Sequence, residues 1–580
     1  MRPGVPHTYT RPTTTSWPIP NQWDWVALIL VLGVITGLGI ATRAMGGHFQ
    51  WGETVTLSLD PVHLPYYALR TVTRLLGALV CSLLFTFIFG AWAAKSRVAE
   101  RVIIPIIDIL QSVPILGFLT IAVVWFVTLF RGSLLGPECA AMFVIFTSQV
   151  WNMTLSFYQS LKMVPSELHE AAAIFQLSAW TTFWRIEVPF AMPSLIWNMM
   201  ISMSGSWVFL VASEAILVAG QQIYLPGVGS YIGMAIRYSD VHAILYAIVT
   251  MVIVIAIYDQ LLFRVLVAWS EKFKMEASAS EDLAESWVLN LFQRTALLRD
   301  VGEYFAHLWE RFVYCSWFRQ IRLSTREVMV TDWQRWIGYT GYVVFGACVL
   351  VALWLLLHFV FGTVTWHEVR EVIFLGFVTA VRVIILVAVC SVLWVPLAIR
   401  IGLHPRASQW AQPIVQFLAA FPANLLFPLV VMVILRYHLN VNIWVSPLMI
   451  LGAQWYIVFN VIAGAQTIPK NWHYAVNTLQ VRGWLWWRRF ILPGVFPYYI
   501  TGAITAAGGT WNMSIIAEAV SWGHTQLWAV GLGAYISRVA ALGDFPRLAL
   551  GIMVMSLYVL LINQMVWKPL YRIAQERFAQ

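Results

Sequence analysis

Apolar runs of membrane-crossing length alternate along the chain with short polar stretches. They fall at roughly 24–44, 66–94, 102–130, 138–160, 190–218 and 241–263, and again at 338–362, 372–399, 412–435, 442–464, 494–520 and 546–566. About 20 residues of helix cross a bilayer, so each run predicts one spanning helix. The runs are continuous instead of alternating, which excludes a transmembrane barrel. The pattern therefore predicts an all-α polytopic membrane protein with twelve transmembrane helices in two tandem sets of six. The first run begins 23 residues in and lacks a convincing cleavage site downstream, so it is read as a retained span and not a signal peptide.

Composition agrees with this pattern. Of 580 residues, 60% are apolar and only 11% charged, against about a quarter charged in soluble domains. The five cysteines show no CxxC or metal-like spacing and read as small core residues. The net charge of +9 raises nucleic-acid binding as a possibility. Most basic residues flank the apolar runs, however, and topology explains them better. With the N-terminus inside, 26 Lys and Arg fall on the cytoplasmic side against six on the other. That bias places both termini and the central linker in the cytoplasm.

The halves repeat. At an offset of 304, Trp151, Pro165, His169, Trp180, Arg185, Pro193, Trp207 and Glu214 meet Trp455, Pro469, His473, Trp484, Arg489, Pro497, Trp511 and Glu518. Nearer each half's start the offset is 308: Arg74 meets Arg382, while Pro105 and Pro114 meet Pro413 and Pro422. An even number of spans per copy orients both copies alike, about a pseudo-two-fold axis along the membrane normal. The units are 24–263 and 338–566, with a cytoplasmic N-tail at 1–23, a linker at 264–337 and a C-tail at 567–580. A translocation path is expected between them.

A loop between the fourth and fifth spans, 163–189 in the first unit and 467–493 in the second, is too polar to cross the membrane yet keeps helical periodicity. Ser166 is the expected N-cap of a short helix, and Pro189 is expected to start the next span. The first loop reads Glu170-Ala171-Ala172, then Gln176, and Ile186, Val188 and Pro189. The second reads Tyr474-Ala475-Val476, then Gln480, and Phe490, Leu492 and Pro493. In this spacing the sequence resembles the ABC-importer permease family, whose signature is EAA, three residues, Gly, nine residues and I-x-L-P. Both copies carry Gln at the glycine position, and the second replaces Glu by Tyr474. Within that family the nitrate/sulfonate/taurine branch is the best resemblance. Glu214 and Glu518 near the end of span five, followed by Gly227-x-Gly229 and Gly531-x-Gly533, carry it, as does the ending Asn563–Leu570.

The resemblance implies that these loops are coupling helices that dock on ABC ATPase subunits, and that a periplasmic or lipid-anchored binding protein delivers the solute. The chain has no G-x-x-x-x-G-K-[ST] motif. It is therefore expected to hold no cofactor and to be no enzyme itself, with ATP and Mg in the partner ATPase. The expected setting is the bacterial inner membrane, and the solute favoured by the resemblance is a small anion.

Charged groups inside spans cost ~2.5–3.5 kcal/mol on insertion scales and invite functional readings. Arg74 and Arg382 are candidates for the path of an anion, with interface anchoring the plainer reading. Glu214 and Glu518 are candidates for a gate, pairing with those arginines or holding the glycine-containing segment that follows. Asp108, whose counterpart is Gln416, is a candidate for solute contact near the axis. Ser204 and Gly205 in span five permit close helix approach and are path candidates too. The linker interleaves aromatics with charges, as in an interfacial helix. A secondary transporter with parallel repeats, or a membrane scaffold, are the rival readings; neither explains the two matched loops.

Overall fold

The computed structural model describes residues 22–49, 57–270 except 219, position 273, most of 304–314, and 332–578 except 524. The expected N-tail and most of the linker lie outside the described residues. Seven helices are long and apolar enough to cross a membrane, and nine if two bent pairs each count as one span. The other three apolar runs are occupied by Gln22–Met45, by Arg97–Leu110 with Ile115–Leu129, and by Asp332–Phe361.

Three expectations about the spans need correction. The run at 102–130 is two helices, broken where Pro114 adopts extended geometry (φ −60, ψ 122). The matching run at 412–435 bends by 75° at Pro422. Proline lacks an N–H and pushes its predecessor toward extended backbone, so both breaks follow from one repeated residue. Thirdly, span five does not continue to 218 or 520. Its helices end at Glu214 and Ala517, and a two-stranded antiparallel hairpin follows in each unit. These are β1 (Ala215–Val218) with β2 (Gln221–Tyr224), and β3 (Ala519–Trp522) with β4 (Thr525–Trp528). Ala215 faces Tyr224 and Ala519 faces Trp528, so the register is the same at an offset of 304. Among the described residues the only strand pairing is in these hairpins and in one isolated bridge between His48 and Ser133.

The repeat extends to the irregular turns. Wide helical turns occur at Phe183–Glu187 and Trp487–Ile491, and again at Asp259–Phe263 and Asn563–Trp567. The first pair sits directly before Pro189 and Pro493. Proline would break an ordinary turn there, and the wider turn absorbs its missing N–H. Pro189 stands in the first turn of the α-helix Val188–Glu214, as expected, and that helix prolongs a helical course that begins at Ala179. At 1.5 Å per residue this course is about 54 Å long.

The two units meet along pseudo-equivalent surfaces. Ile115 N donates to Asn512 Oδ1 at 2.7 Å, and Asn424 Nδ2 to the Val208 carbonyl at 3.4 Å. Trp197 stacks on Phe459 with centroids 5.6 Å apart. At the hairpin end the exchange is reciprocal: Gly220 N donates to Ala541 O at 2.7 Å, and Gly523 N to Ile236 O at 2.9 Å. Both glycines are left-handed, at φ 75 and 57, which suits the tight turn between strands.

Candidate functional site

Three features carry the candidate site: a cavity between the units beside the hairpins, a buried charge cluster behind each hairpin within its own unit, and a short exposed helix at the far end of each span-five helix.

The charge clusters account for Arg74, Arg382, Glu214 and Glu518. Glu214 is fully buried at the end of its helix. Its Oε1 accepts from Thr71 Oγ1 at 2.7 Å and Arg74 Nη1 at 2.6 Å, and its Oε2 from Gly229 N at 2.6 Å. Glu518 repeats this with Thr379 at 3.0 Å, Arg382, and the amide of Ala534 at 3.2 Å. The same threonines accept from Val228 N and Leu532 N. Each carboxylate thus ties the second span to the hairpin and to the helix after it. A buried carboxylate must be compensated, and here charge and backbone donors both contribute.

The two spaced glycines follow from this packing. A Cβ on Gly227 or Gly531 would overlap the Glu214 or Glu518 carboxylate, and one on Gly229 or Gly533 would overlap the Val211 or Ser514 carbonyl. Gly227 has extended backbone (φ −180), so lack of space and not dihedral strain demands glycine there.

The first cluster is larger. Arg70 and Arg74 both reach Glu138, and Arg74 Nη2 also donates to the Pro226 carbonyl at 2.8 Å. In the second unit Val378 and Asn442 occupy the positions of Arg70 and Glu138. Asn442 Oδ1 accepts from Val530 N at 2.7 Å instead. One cation and one anion are removed together, so each cluster holds equal numbers of both signs.

None of these four charged residues lines the cavity. The cavity, of about 1140 Å³, lies between the units beside the hairpins. Its walls include Leu116 and Thr120, Asn424 and Phe427, the strands, and the helices Val228–Arg237 and Leu532–Leu542. Arg237 and Arg538 both face it, as do Gln222 and Gln526, which are repeat equivalents. In the sequence these arginines entered only the topology tally. They stand at unmatched repeat positions, so a search for identical pairs passes over them.

Farther from the hairpins the units close on each other. A pocket of about 20 Å³, space for one water, is lined by Ser204, Gln416, Tyr456 and Phe459, among others. Gly205 lies so close to Tyr456 that a Cβ would stand 3.0 Å from its hydroxyl. Ser204 and Gly205 thus sit at a tight helix crossing, not in the large cavity. Gln416 reaches Met200 Sδ at 3.0 Å and Asp259 at 3.4 Å across the junction. Asp108 does not bond to Gln416, its repeat counterpart; its carboxylate accepts from Gln111 Nε2 at 3.0 Å.

The short helices run Ser166–Ile174 and Lys470–Thr478. Pro165, not Ser166, is the N-cap, and it offers no side-chain acceptor. Each helix ends in the same way. Gln176 N donates to Ala173 O and Leu177 N to Ala172 O, both at 3.0 Å. Gln480 and Val481 do the same to Asn477 and Val476, both at 3.1 Å. Gln176 and Gln480 are left-handed, at φ 51 and 50. This is the helix stop in which glycine is usual, so the glutamines replace glycine without changing the turn. Glu170 and Ala171 are not buried, and Ala172 is buried at 4%. In the other unit Tyr474 and Ala475 are both exposed. Ile174, Phe175, Tyr474 and Leu479 are each more than two-thirds exposed.

The first of these segments is held more closely than the second. Glu187 pairs with Lys95 and lies 3.8 Å from His169 Nδ1. A described piece of the linker also packs there: Trp309 meets Trp184 edge-on at 4.9 Å, and Arg185 lies 3.4 Å from Glu310 and 5.1 Å over the Tyr314 ring.

Comparison with known proteins agrees with this two-fold arrangement. The model of one family, the binding-protein-dependent transport system inner membrane component, matches twice, at 86–272 and 394–567. The chain belongs to that family. It is an ABC transporter permease of the importing kind, with two units fused in one chain. The permease is similar to a glycine betaine/carnitine transport permease of Listeria monocytogenes, with 26% identity over 36% of this chain and 67% of the relative. A nitrate import permease of Synechocystis is 26% identical over 30% of this chain and 57% of that protein. A bicarbonate transport permease of the same organism is 25% identical over 27% and 52%. The permease thus spans between about half and two-thirds of the length of these relatives. Each match covers about one-third of the permease, close to one unit.

Proposed function

We propose that this permease forms the membrane path of an ATP-driven importer for a small anionic solute. The observation that carries the reading is the pair of exposed short helices, identical in backbone ending, at the far end of the two helical courses that lead to the hairpins. ABC ATPase subunits, holding ATP and Mg, dock on them. Contact centres on Glu170, Ala171, Ala172 and Gln176 in one unit and on Tyr474, Ala475 and Gln480 in the other. Pro189 and Pro493, beside the wide turns, lie where each docked segment passes its motion into span five. A binding protein delivers solute at the hairpin end.

In this reading the units are 24–263 and 338–566. The protein sits in the bacterial inner membrane, with both termini and the short helices in the cytoplasm and the hairpins outside. ATP-driven closure of the ATPase pair brings the two segments together and rocks the bundles about the junction. The Glu214 and Glu518 clusters keep each hairpin rigid on its own unit, so hairpin and span move as one body.

The test is purification of the permease with its ATPase and measurement of hydrolysis stimulated by the loaded binding protein. Glu170→Arg is expected to abolish stimulation while the permease remains folded. Unchanged stimulation would overturn the placement of the docking contact at Glu170, and transport that ignores ATP and collapses with a proton uncoupler would overturn the importer reading in favour of a secondary carrier. Active membranes with no associated ATPase and no transport would favour a scaffold.

A further inference from the structure

We infer that Arg237 and Arg538 form an anion-selecting site in the cavity between the hairpins. The inference deepens the importer reading and rests on it only for the identification of the anion as solute.

The cavity receives one arginine from each unit and has no Asp or Glu among its described lining residues. Both side chains are exposed and neither forms an ion pair among the described residues; Arg237 lies against the Tyr224 hydroxyl, a neutral partner that leaves its charge uncompensated. This contrasts with Arg74 and Arg382, whose charges are matched by Glu138, Glu214 and Glu518. Two guanidinium groups without a carboxylate partner, in a recess with mostly apolar walls, concentrate anions and speed their arrival. Arginine also presents a planar set of donors suited to a flat oxyanion.

The placement is not inherited from the duplication. Arg237 matches Ala541 across the repeat and Arg538 matches Met234. Each unit therefore supplies its own cation from a different step of the same helix, and both steps face one cavity. Gln222 and Gln526 stand at matched positions on β2 and β4 and add amide donors. The reciprocal hairpin bonds end at Ile236 and Ala541, next to Arg237 and one turn from Arg538. Opening those bonds moves the arginines, so the anion site and the hairpin closure are mechanically linked. A quaternary ammonium group would want several aromatic faces, and Phe427 and Trp528 are the only aromatic rings among the described lining residues.

The test uses the full chain in detergent, without ATPase or binding protein. Ser521, which lines the cavity, is changed to Cys, and the labelling of the parent chain is subtracted. The rate with an anionic sulfonatoethyl methanethiosulfonate is compared with that of its cationic trimethylammonioethyl analogue, each relative to a free thiol. The site predicts an anionic preference of about tenfold, near unity in Arg237→Gln/Arg538→Gln and retained in Arg237→Lys/Arg538→Lys. Nitrate or bicarbonate at millimolar concentration should slow labelling, and glycine betaine should not. A preference that survives the double Gln variant, or equal protection by betaine and nitrate, overturns the proposal. Because no ATPase is present, this result is independent of whether the Glu170→Arg test succeeds.

Discussion

Arg74 Nη1 lies 2.6 Å from Glu214 Oε1, and the same contact recurs between Arg382 and Glu518 across the repeat. Around the first pair the protein adds a second cation and a second anion. Around the second pair Val378 and Asn442 replace both. The constraint shared by the two units is charge balance in a buried site, not a particular list of residues.

Breaking that balance should therefore cost more than copying the other unit. Glu138→Asn alone leaves Arg70 and Arg74 facing one carboxylate, and removing one partner of a buried pair typically costs on the order of 3–5 kcal/mol. Adding Arg70→Val restores equal charge and should recover a measurable part of the loss. A double-mutant cycle on the unfolding midpoint in detergent checks this: the expected coupling is favourable, about 1–3 kcal/mol. Simple additivity would contradict it.

The glycines beside the carboxylates give a steric prediction. Gly227→Ala and Gly229→Ala place a methyl on the Glu214 carboxylate and the Val211 carbonyl. Each is expected to destabilise by about 1–3 kcal/mol and to increase proteolysis of the hairpin. Gly39→Ala, inside a helix with open space around it, is the control and should neither destabilise the protein nor increase proteolysis.

At the short helices the prediction runs the other way. Left-handed backbone costs an L-residue about 1 kcal/mol, and Gln176 and Gln480 both carry it. Gln176→Gly and Gln480→Gly should be tolerated, with ATPase stimulation kept. Gln176→Val should lose stimulation, because a β-branched residue resists this conformation. Equal behaviour of Gly and Val would show that the turn plays no part in docking.

Much of this was legible in the sequence because identical rare residues survive in both units. Arg74 with Arg382, Glu214 with Glu518, and the four glycines could be paired before any fold was known. Thr71 and Thr379 match at the same 308 offset, but threonine within a span carries little signal by itself. The hairpins were hidden for a different reason: four-residue strands at the end of an apolar run have no period that separates them from helix. Pro114 and Pro422 were visible as repeat markers, yet their effect on the chain depended on what packs around the break. Arg237 and Arg538 became a pair only in space, since neither has a counterpart at its own repeat position.

The central claim is that nucleotide drives the two short helices together and that the hairpin end responds. Ala173 and Asn477 are exposed and occupy equivalent positions on those helices. Spin labels there, in the permease purified with its ATPase, report the separation directly by pulsed dipolar spectroscopy. The account predicts a shorter distance in the ATP-trapped state than without nucleotide. Identical distance distributions in the two states, with ATPase bound, would contradict it.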